Sequence, residues 1–312
     1  MIFNIFRIAF CLLLGVAPLS SQPLTVTLLG TAGGPTGFVG RAGPSVLVEA
    51  AGERLLFDAG RGAMGRLRQL NIRHVSKLFL THLHSDHVVG LTDVWLTGWV
   101  RGRPSAFEVW GPEGTTSMTD HLEQAFAFDI YARRDIDSRL PGDGVVLETT
   151  DIQEGVVFDR NGVKVTAFDV DHRPIAPALG FRIDYRGRSV AISGDTRPSD
   201  NLVKFSTGVD LLVHEVYGAN PNDAPDPAAA KIIQAHHTTL DEAAEIFSRT
   251  RPSLAVYYHI TPRFLSSEEI AALPARTNAA YEGRVESGEE LMRIEIDDEI
   301  RIMRFGDDYP TP

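Results

Sequence analysis

Apolar positions along the chain come in short runs, each closed by glycine or by a polar cluster. "LTVTLLG" at 24–30 sets β-branched residues among leucines, and "SVLVEAAGERLLFDAG" at 45–60 reads as two strands folded about Gly52. In "GAMGRLRQLNI" the spacing of Met64, Leu67 and Leu70 turns helical, and "KLFL" at 77–80 reads as a buried strand. "FEVWGPEGTTSMTDHLEQAFAF" predicts a strand, a Gly-Pro turn and an amphipathic helix capped near Thr115 or Thr116, with "YARRDIDSRLPGDGV" following as a polar, loop-rich excursion. Hairpins are expected at Asn161-Gly162 and Arg186-Gly187. The buried strands "DLLVHEVYG" and "SLAVYYHI" then flank the helix "TLDEAAEIFSRT", while Trp95 and Trp99, one helical turn apart, belong to the core. Strands alternating with helices, yet rich in antiparallel hairpins, predict an α+β fold: an αββα sandwich of two mostly antiparallel mixed sheets with helices outside, not a doubly wound parallel sheet.

The amino terminus breaks this pattern. In "MIFNIFRIAFCLLLGVAPLSSQP" Arg7 precedes an apolar run, Ile8 to Leu14, that passes into small residues and proline, the order of a secretory signal peptide. The run is too short for a membrane span of ~20 residues. Cleavage near Gln22 would divide the chain into a leader, 1–21, and one domain, 22–312, secreted or periplasmic and without a stable membrane span. The single cysteine, Cys11, falls in the leader, so the remainder has neither disulfide nor thiolate ligand. Any metal must be held by histidine and carboxylate. A net charge of −11 lacks the basic excess that advertises nucleic-acid binding, which makes nucleic acid the less expected partner.

Candidate chemistry sits where strands end. "LFL-THLHSDH", "AFDV-DH", "VAIS-GD", "LLV-HE" and "VYY-HI" each close an apolar run with histidine or acid, and strand ends gathered on one rim can form one site. His82, His84 and Asp86 share a parity if the chain stays extended, with His87 free to face a neighbouring point. Two zinc ions of about four ligands each fit if His82, His84 and His172 hold one, Asp86, His87 and His259 hold the other, and Asp195 bridges them. Mn2+ or Fe2+ would also accept such donors. With cations ~3.5–4 Å apart, a shared water becomes hydroxide near neutral pH and attacks an ester in line.

"THLHSDH" resembles the HxHxDH signature of the metallo-β-lactamase superfamily, and "VDH", "SGDT" and "YHI" follow in that family's order. "LLGTAGGPTGFVGR", "WGPEGT", "VHEVY", "HTTLDEAAEI" and "HITPRF" are similar to marks of its ribonuclease Z and zinc arylsulfatase branch. The resemblance implies the same seven ligands. It also implies proton transfer by Glu215 and His237, the histidine serving the leaving oxygen and the glutamate orienting it, with Asp86 also able to hold the attacking water. Asp58 in "FDAG" is expected to orient the ligand loop, His236 to be a surface or capping residue, His214 to be structural, and Arg263 either to meet an anionic substrate or to pair with a surface acid.

Two departures bear on the substrate. "DAGRGAM" puts Arg61 where the ribonuclease Z branch usually has a glutamate-containing turn. Only 22 residues separate His172 from Asp195, so the tRNA-clasping arm common in that branch does not fit there. The leading expectation is therefore a secreted dizinc hydrolase of small anionic phosphodiester or aryl sulfate esters. A ribonuclease Z-like tRNA 3′-processing endonuclease is the alternative, and a non-catalytic metal-binding protein is less favoured because Glu215 and His237 are both present. The segments "LTGWVRGRPSAF" and "YARRDIDSRL" are expected to act as lids, and a homodimer is compatible with the resemblance.

Overall fold

The computed structural model describes residues 22–35, 40–261 and 265–306, which form two β-sheets packed face to face. The leader, 1–21, lies outside the described residues. In chain order the first sheet takes β1 (Leu24–Gly30), β2 (Ser45–Ala50), β3 (Glu53–Phe57), β4 (Lys77–Phe79), β5 (Phe107–Gly111) and β6 (Leu147–Asp151). The second takes β7 (Gly155–Arg160), β8 (Val163–Asp169), β9 (Leu179–Tyr185), β10 (Arg188–Ile192), β11 (Leu211–Tyr217), β12 (Leu254–Thr261) and β13 (Val285–Ser287). Two last strands, β14 (Arg293–Ile296) and β15 (Ile300–Met303), return to the first sheet beside β1.

Both sheets are mixed. Strands β15-β14-β1-β2-β3 and β7-β8-β9-β10 pair antiparallel, whereas β3-β4-β5-β6 and β10-β11-β12-β13 pair parallel. The antiparallel parts are closed by the expected hairpins, because Ala51-Gly52, Asn161-Gly162 and Arg186-Gly187 each place two successive residues at positive φ, as a type I′ turn requires.

Strand periodicity sorts the core. Phe57, Phe79 and Phe181 point between the sheets, where Phe57 and Phe79 stack at 5.0 Å, and Trp110 stacks on Phe79 at 4.7 Å. Leu56, Leu78 and Val109 point outward, against α1 (Ala63–Gln69) and α3 (Leu91–Val100), which follows the short α2 (Ser85–Val88). Each such side chain contributes about 1.5–3 kcal/mol relative to an exposed one. Trp95 and Trp99 are fully buried here, so the "LTGWV" half of the expected lid is core helix. Next come α4 (Thr115–Ala125) and α5 (Ala127–Tyr131). On the outer side of the second sheet lie α6 (Asp200–Ser206) and, beyond the rim helix α7 (Pro227–Gln234), α8 (Leu240–Thr250).

Two local expectations are corrected. The "YARRDIDSRL" excursion is largely helical, since α5 runs into a π-helical turn at Ala132–Ile136. Helix α4 has no cap from its own threonines: Gly114 precedes it at φ 100°, and Asp151 of β6 accepts from Gly114 N (3.0 Å) and from Thr116 N (2.7 Å) and Oγ1 (2.8 Å). Among the described residues no helix is long and apolar enough to cross a membrane.

Candidate metal centre

Parallel pairing of β10, β11 and β12 brings their carboxyl ends to one rim, and β8 points the same way through two antiparallel steps. The loops after β4, β8 and β10 and the last turn of β12 meet there. His84 is still extended (φ −61°, ψ 144°), which leaves His82 and His84 on one side, but the chain turns helical at Ser85. Asp86 therefore does not continue their parity; α2 swings Asp86 and His87 to a second point.

The result is two adjoining groups, His82, His84, His172 and Asp195, and Asp86, His87 and His259, each with its ligand atoms within 4.8 Å of one another. In the first, His84 Nδ1 lies 3.0 Å from His82 Nε2 and 3.3 Å from His172 Nε2. In the second, Asp86 Oδ2 lies 3.3 Å from His259 Nε2 and 3.6 Å from His87 Nε2. Asp195 touches both: Oδ1 is 3.4 Å from His87 Nε2, while Oδ2 is 3.1 Å from His259 Nε2 and 3.9 Å from His82 Nε2. A tetrahedron of nitrogens about 2.0–2.1 Å from zinc has edges of about 3.3 Å, close to the spacings in the histidine group.

Hydrogen bonds behind the rings set which nitrogen faces inward. His87 Nδ1 donates to Asp58 Oδ2 (2.8 Å) and His172 Nδ1 to the His236 carbonyl (3.0 Å). Thr81 Oγ1 donates to Asp58 (2.9 Å) and so accepts from His82 Nδ1 (3.0 Å). Each ring is left with an Nε2 lone pair turned to the centre. Asp58, buried and also accepting from Thr81 N at 2.8 Å, has the orienting role expected of it.

Electrostatics point to a cation. Burial presses His82 well below the ordinary histidine range and His172 down to about 4, so both rings are neutral at pH 7. Burial also opposes ionisation of Asp86 and Asp195, yet the His259 and His87 rings hold both carboxyls well below the usual range. His87 is likewise penalised by burial, but Asp195 and Asp58 carry it well above the ordinary value. Three buried carboxylates, Asp58, Asp86 and Asp195, thus crowd the imidazoles of the centre. His87 Nε2 and Asp195 Oδ1 are buried without a hydrogen-bond partner among the described residues. A divalent metal ion supplies the missing partner, and the thiol-free nitrogen and oxygen donors fit one.

His259 reaches the centre through a fold feature that periodicity does not reveal. Tyr258 pairs with Glu215 and Ile260 with Val216, so His259 is an extra residue in β12, at φ 41°. This β-bulge re-aims the imidazole out of the strand's alternation. Gly33 makes room: a Cβ there would stand 2.6 Å from His259 Nδ1.

Beside the metal ligands, Glu215 Oε1 accepts from Thr196 N (2.9 Å) and pairs with His237 Nδ1 (2.9 Å). Burial lowers the His237 imidazole, but the Glu215 carboxylate outweighs it and raises the ring to about 9; burial also raises Glu215. His237 precedes Thr239, whose capping box with Glu242 starts α8, and this fixes the ring at the rim.

All nine expected site residues therefore converge on one cleft of about 510 Å³ or on the wall just beneath it. Its far wall is α7, with Ala229, Ala230 and Ile233 facing in, an element absent from the sequence reading. Asp226 capping Ala228 N and Ala229 N, followed by Pro227 in the first turn, is the signal that would have found it. His236, expected to be a surface or capping residue, lines the cleft and holds His172 through its carbonyl. His214 is buried against Phe247, with Nδ1 on the Glu215 carbonyl, in the structural role assigned to it. Arg263 lies outside the described residues.

The sequence profile of the Beta-lactamase superfamily domain matches residues 53–260. Ribonuclease Z of Mycobacterium marinum is 36% identical over 282 residues, covering 88% of this chain and 99% of that protein. The chain belongs to the metallo-β-lactamase superfamily, in its ribonuclease Z branch. Ribonuclease Z of Mycobacterium avium is 38% identical over 283 residues, with 88% and 99% covered. A metallo-beta-lactamase fold protein from Bacillus subtilis superposes with a TM-score of 0.68 at 18% identity, covering 87% of this chain and 99% of that one. The short form of human tRNase Z superposes at 0.61 with 24% identity, covering 88% and 99%; both show the shared fold.

These relatives overturn the leading sequence expectation that the chain hydrolyses small phosphodiester or aryl sulfate esters, and they give the small anionic ester no support as partner. The short interval between His172 and Asp195 misled because it was read against armed enzymes. The M. marinum protein aligns over 99% of its length in 282 residues, which leaves it no long insertion either. Absence of an arm thus does not separate this chain from proteins named ribonuclease Z. Net charge is likewise a weak guide to the substrate, since it sums the whole surface whereas a substrate meets one rim.

Proposed function

We propose that this protein is a ribonuclease Z-like endonuclease that cuts RNA phosphodiester bonds, with the 3′ end of a precursor tRNA as its first candidate substrate. The observation that carries the reading is the 34–38% identity to proteins named ribonuclease Z, running over 96–99% of their length. In this reading His82, His84 and His172 hold one zinc ion, Asp86, His87 and His259 hold a second, and Asp195 lies between them. Bound there, the cations would acidify a water and offset charge on the phosphate. Asp86 Oδ2, anchored by Gly34 N at 2.9 Å, faces the cleft where it can accept a proton from that water. His237 is protonated at pH 7 and opens on the same cleft, positioned to give its proton to the departing oxygen. Glu215 holds its ring and keeps it charged.

Incubating the zinc-loaded protein with a precursor-tRNA transcript tests this. A single cut that releases the 3′ trailer, lost on chelation and restored by zinc, is expected; an intact transcript with fully loaded protein would overturn it. We further propose residues 1–21 as an export leader, supported by the apolar run from Ile8 to Leu14 after Arg7. Fusing the segment to a reporter checks that separately, and retention of the reporter in the cytoplasm would end the idea.

A further inference from the structure

Arg61 stands in the turn after β3, and no side-chain hydrogen bond or ion pair engages its guanidinium among the described residues, where the residue is exposed. It lines a groove of about 380 Å³ together with Gly40, Arg41, Gly43, Gly62 and Arg66. Among the described residues no aspartate or glutamate lines it, although the chain as a whole carries −11. Glu290, beside Ala42, turns its carboxylate to Thr31 N (3.1 Å), Thr31 Oγ1 (2.9 Å) and Ala42 N (3.2 Å). Arg41 is braced on Thr31 Oγ1 (2.6 Å) and the Gly288 carbonyl (3.2 Å), and Arg66 on the Gly40 carbonyl (2.9 Å). Two guanidinium groups are thus fixed in place, and Arg61 is the free one between the glycines.

The groove lies back to back with the metal centre. Asp86 lines the catalytic cleft, and its carbonyl oxygen sits 3.3 Å from where a Cβ on Gly43, in the groove wall, would be. At Gly60, next to Arg61, the same oxygen would be 2.7 Å from a Cβ. The backbone of Asp86 therefore packs directly against the glycines that flank Arg61. Small glycine walls let a polyanion's backbone approach closely, and guanidinium forks match phosphate oxygens.

We propose that this groove is a binding site for RNA backbone phosphates, holding the strand that runs on from the cleavage point, with Arg61 as its central contact. The proposal rests on the ribonuclease reading for its ligand. It accounts for how an acidic protein can engage a polyanion: a local group of three arginines can meet phosphates whatever the sign of the whole surface.

The test compares Arg61→Ala with Arg160→Ala, a surface arginine paired with Glu108 at the other end of the strands. Binding of a short fluorescent RNA to the full, zinc-loaded chain is followed across a salt series, alongside kcat and KM for cleavage. Arg61→Ala should bind several-fold more weakly, lower the slope of log affinity against log salt by about one, and raise KM at unchanged kcat. Arg160→Ala should match the wild type in all three. Equal salt slopes for Arg61→Ala and wild type would overturn the groove while leaving the ribonuclease reading intact. Wild-type protein that binds RNA with the arginine-dependent slope yet never cleaves it would overturn the ribonuclease reading and sustain the groove.

Discussion

The two sides of the metal centre are built in opposite ways. On one side, residues 82–87 deliver His82, His84, Asp86 and His87 from a single loop, stiffened by one buried carboxylate, Asp58, that grips Thr81 and His87. On the other, His172, Asp195 and His259 arrive one at a time from separate strand ends, the last through a bulge seated against Gly33. The local side is legible because its spacing is the geometry. The assembled side depends on sheet register, so its failures should be abrupt and its support should be found in backbone packing.

Asp195, from the assembled side, touches His82 and His87 of the loop as well as His259, and its loss should have the largest effect. Asp195→Ala removes the carboxylate that lies 3.4 Å from His87 Nε2 and 3.1 Å from His259 Nε2, and the fall in activity should exceed the ~10²–10⁴-fold that general acid–base catalysis supplies. Metal analysis should show the loss reaching both ions; a variant that keeps full metal and half its activity would mean the two sides are independent.

His237→Ala should reduce kcat by about 10²–10⁴-fold with metal content unchanged. Its protonated form is present below a pKa raised to about 9 and lost above it, so the alkaline limb of kcat should fall at or below that pH. Removing the charge that raises the ring, with Glu215→Gln, should move the limb to lower pH; an unmoved limb would take the pair out of proton transfer.

Smaller effects separate the supports. Asp58→Asn keeps the shape of the loop's anchor but loses an acceptor for Thr81 and His87, and zinc affinity should drop about 10–100-fold. Gly33→Ala sets a methyl 2.6 Å from His259 Nδ1. Competition with a chromogenic chelator should show about a tenfold loss confined to one of the two ions. A uniform loss at both would show that the bulge positions more than His259.

The same contrast explains what could be read beforehand. Alternation in "SVLVEA" and "RLLF", and the turn pairs at 51–52, 161–162 and 186–187, carried the sheets because strand faces and type I′ turns are local properties. Extended parity would have aligned Asp86 with His82 and His84, whereas the helical turn that begins at Ser85 sets it beside His87 and His259. His259's bulge has no signature in "VYYHI", being imposed by pairing with a strand over forty residues away. The cleft wall from α7 was overlooked behind a stretch rich in proline and alanine, although its Asp-Pro start was readable. Substrate was hardest of all, because absence of an arm and overall charge describe the whole chain and not the rim.

The central claim is that one loop and three strand ends make a single centre with two metal positions. Zinc titration of the metal-free protein, read by calorimetry and by metal content after gel filtration, measures this most directly. Two ions per chain are predicted for the wild type; one ion per chain at saturation, with every ligand intact, would contradict it.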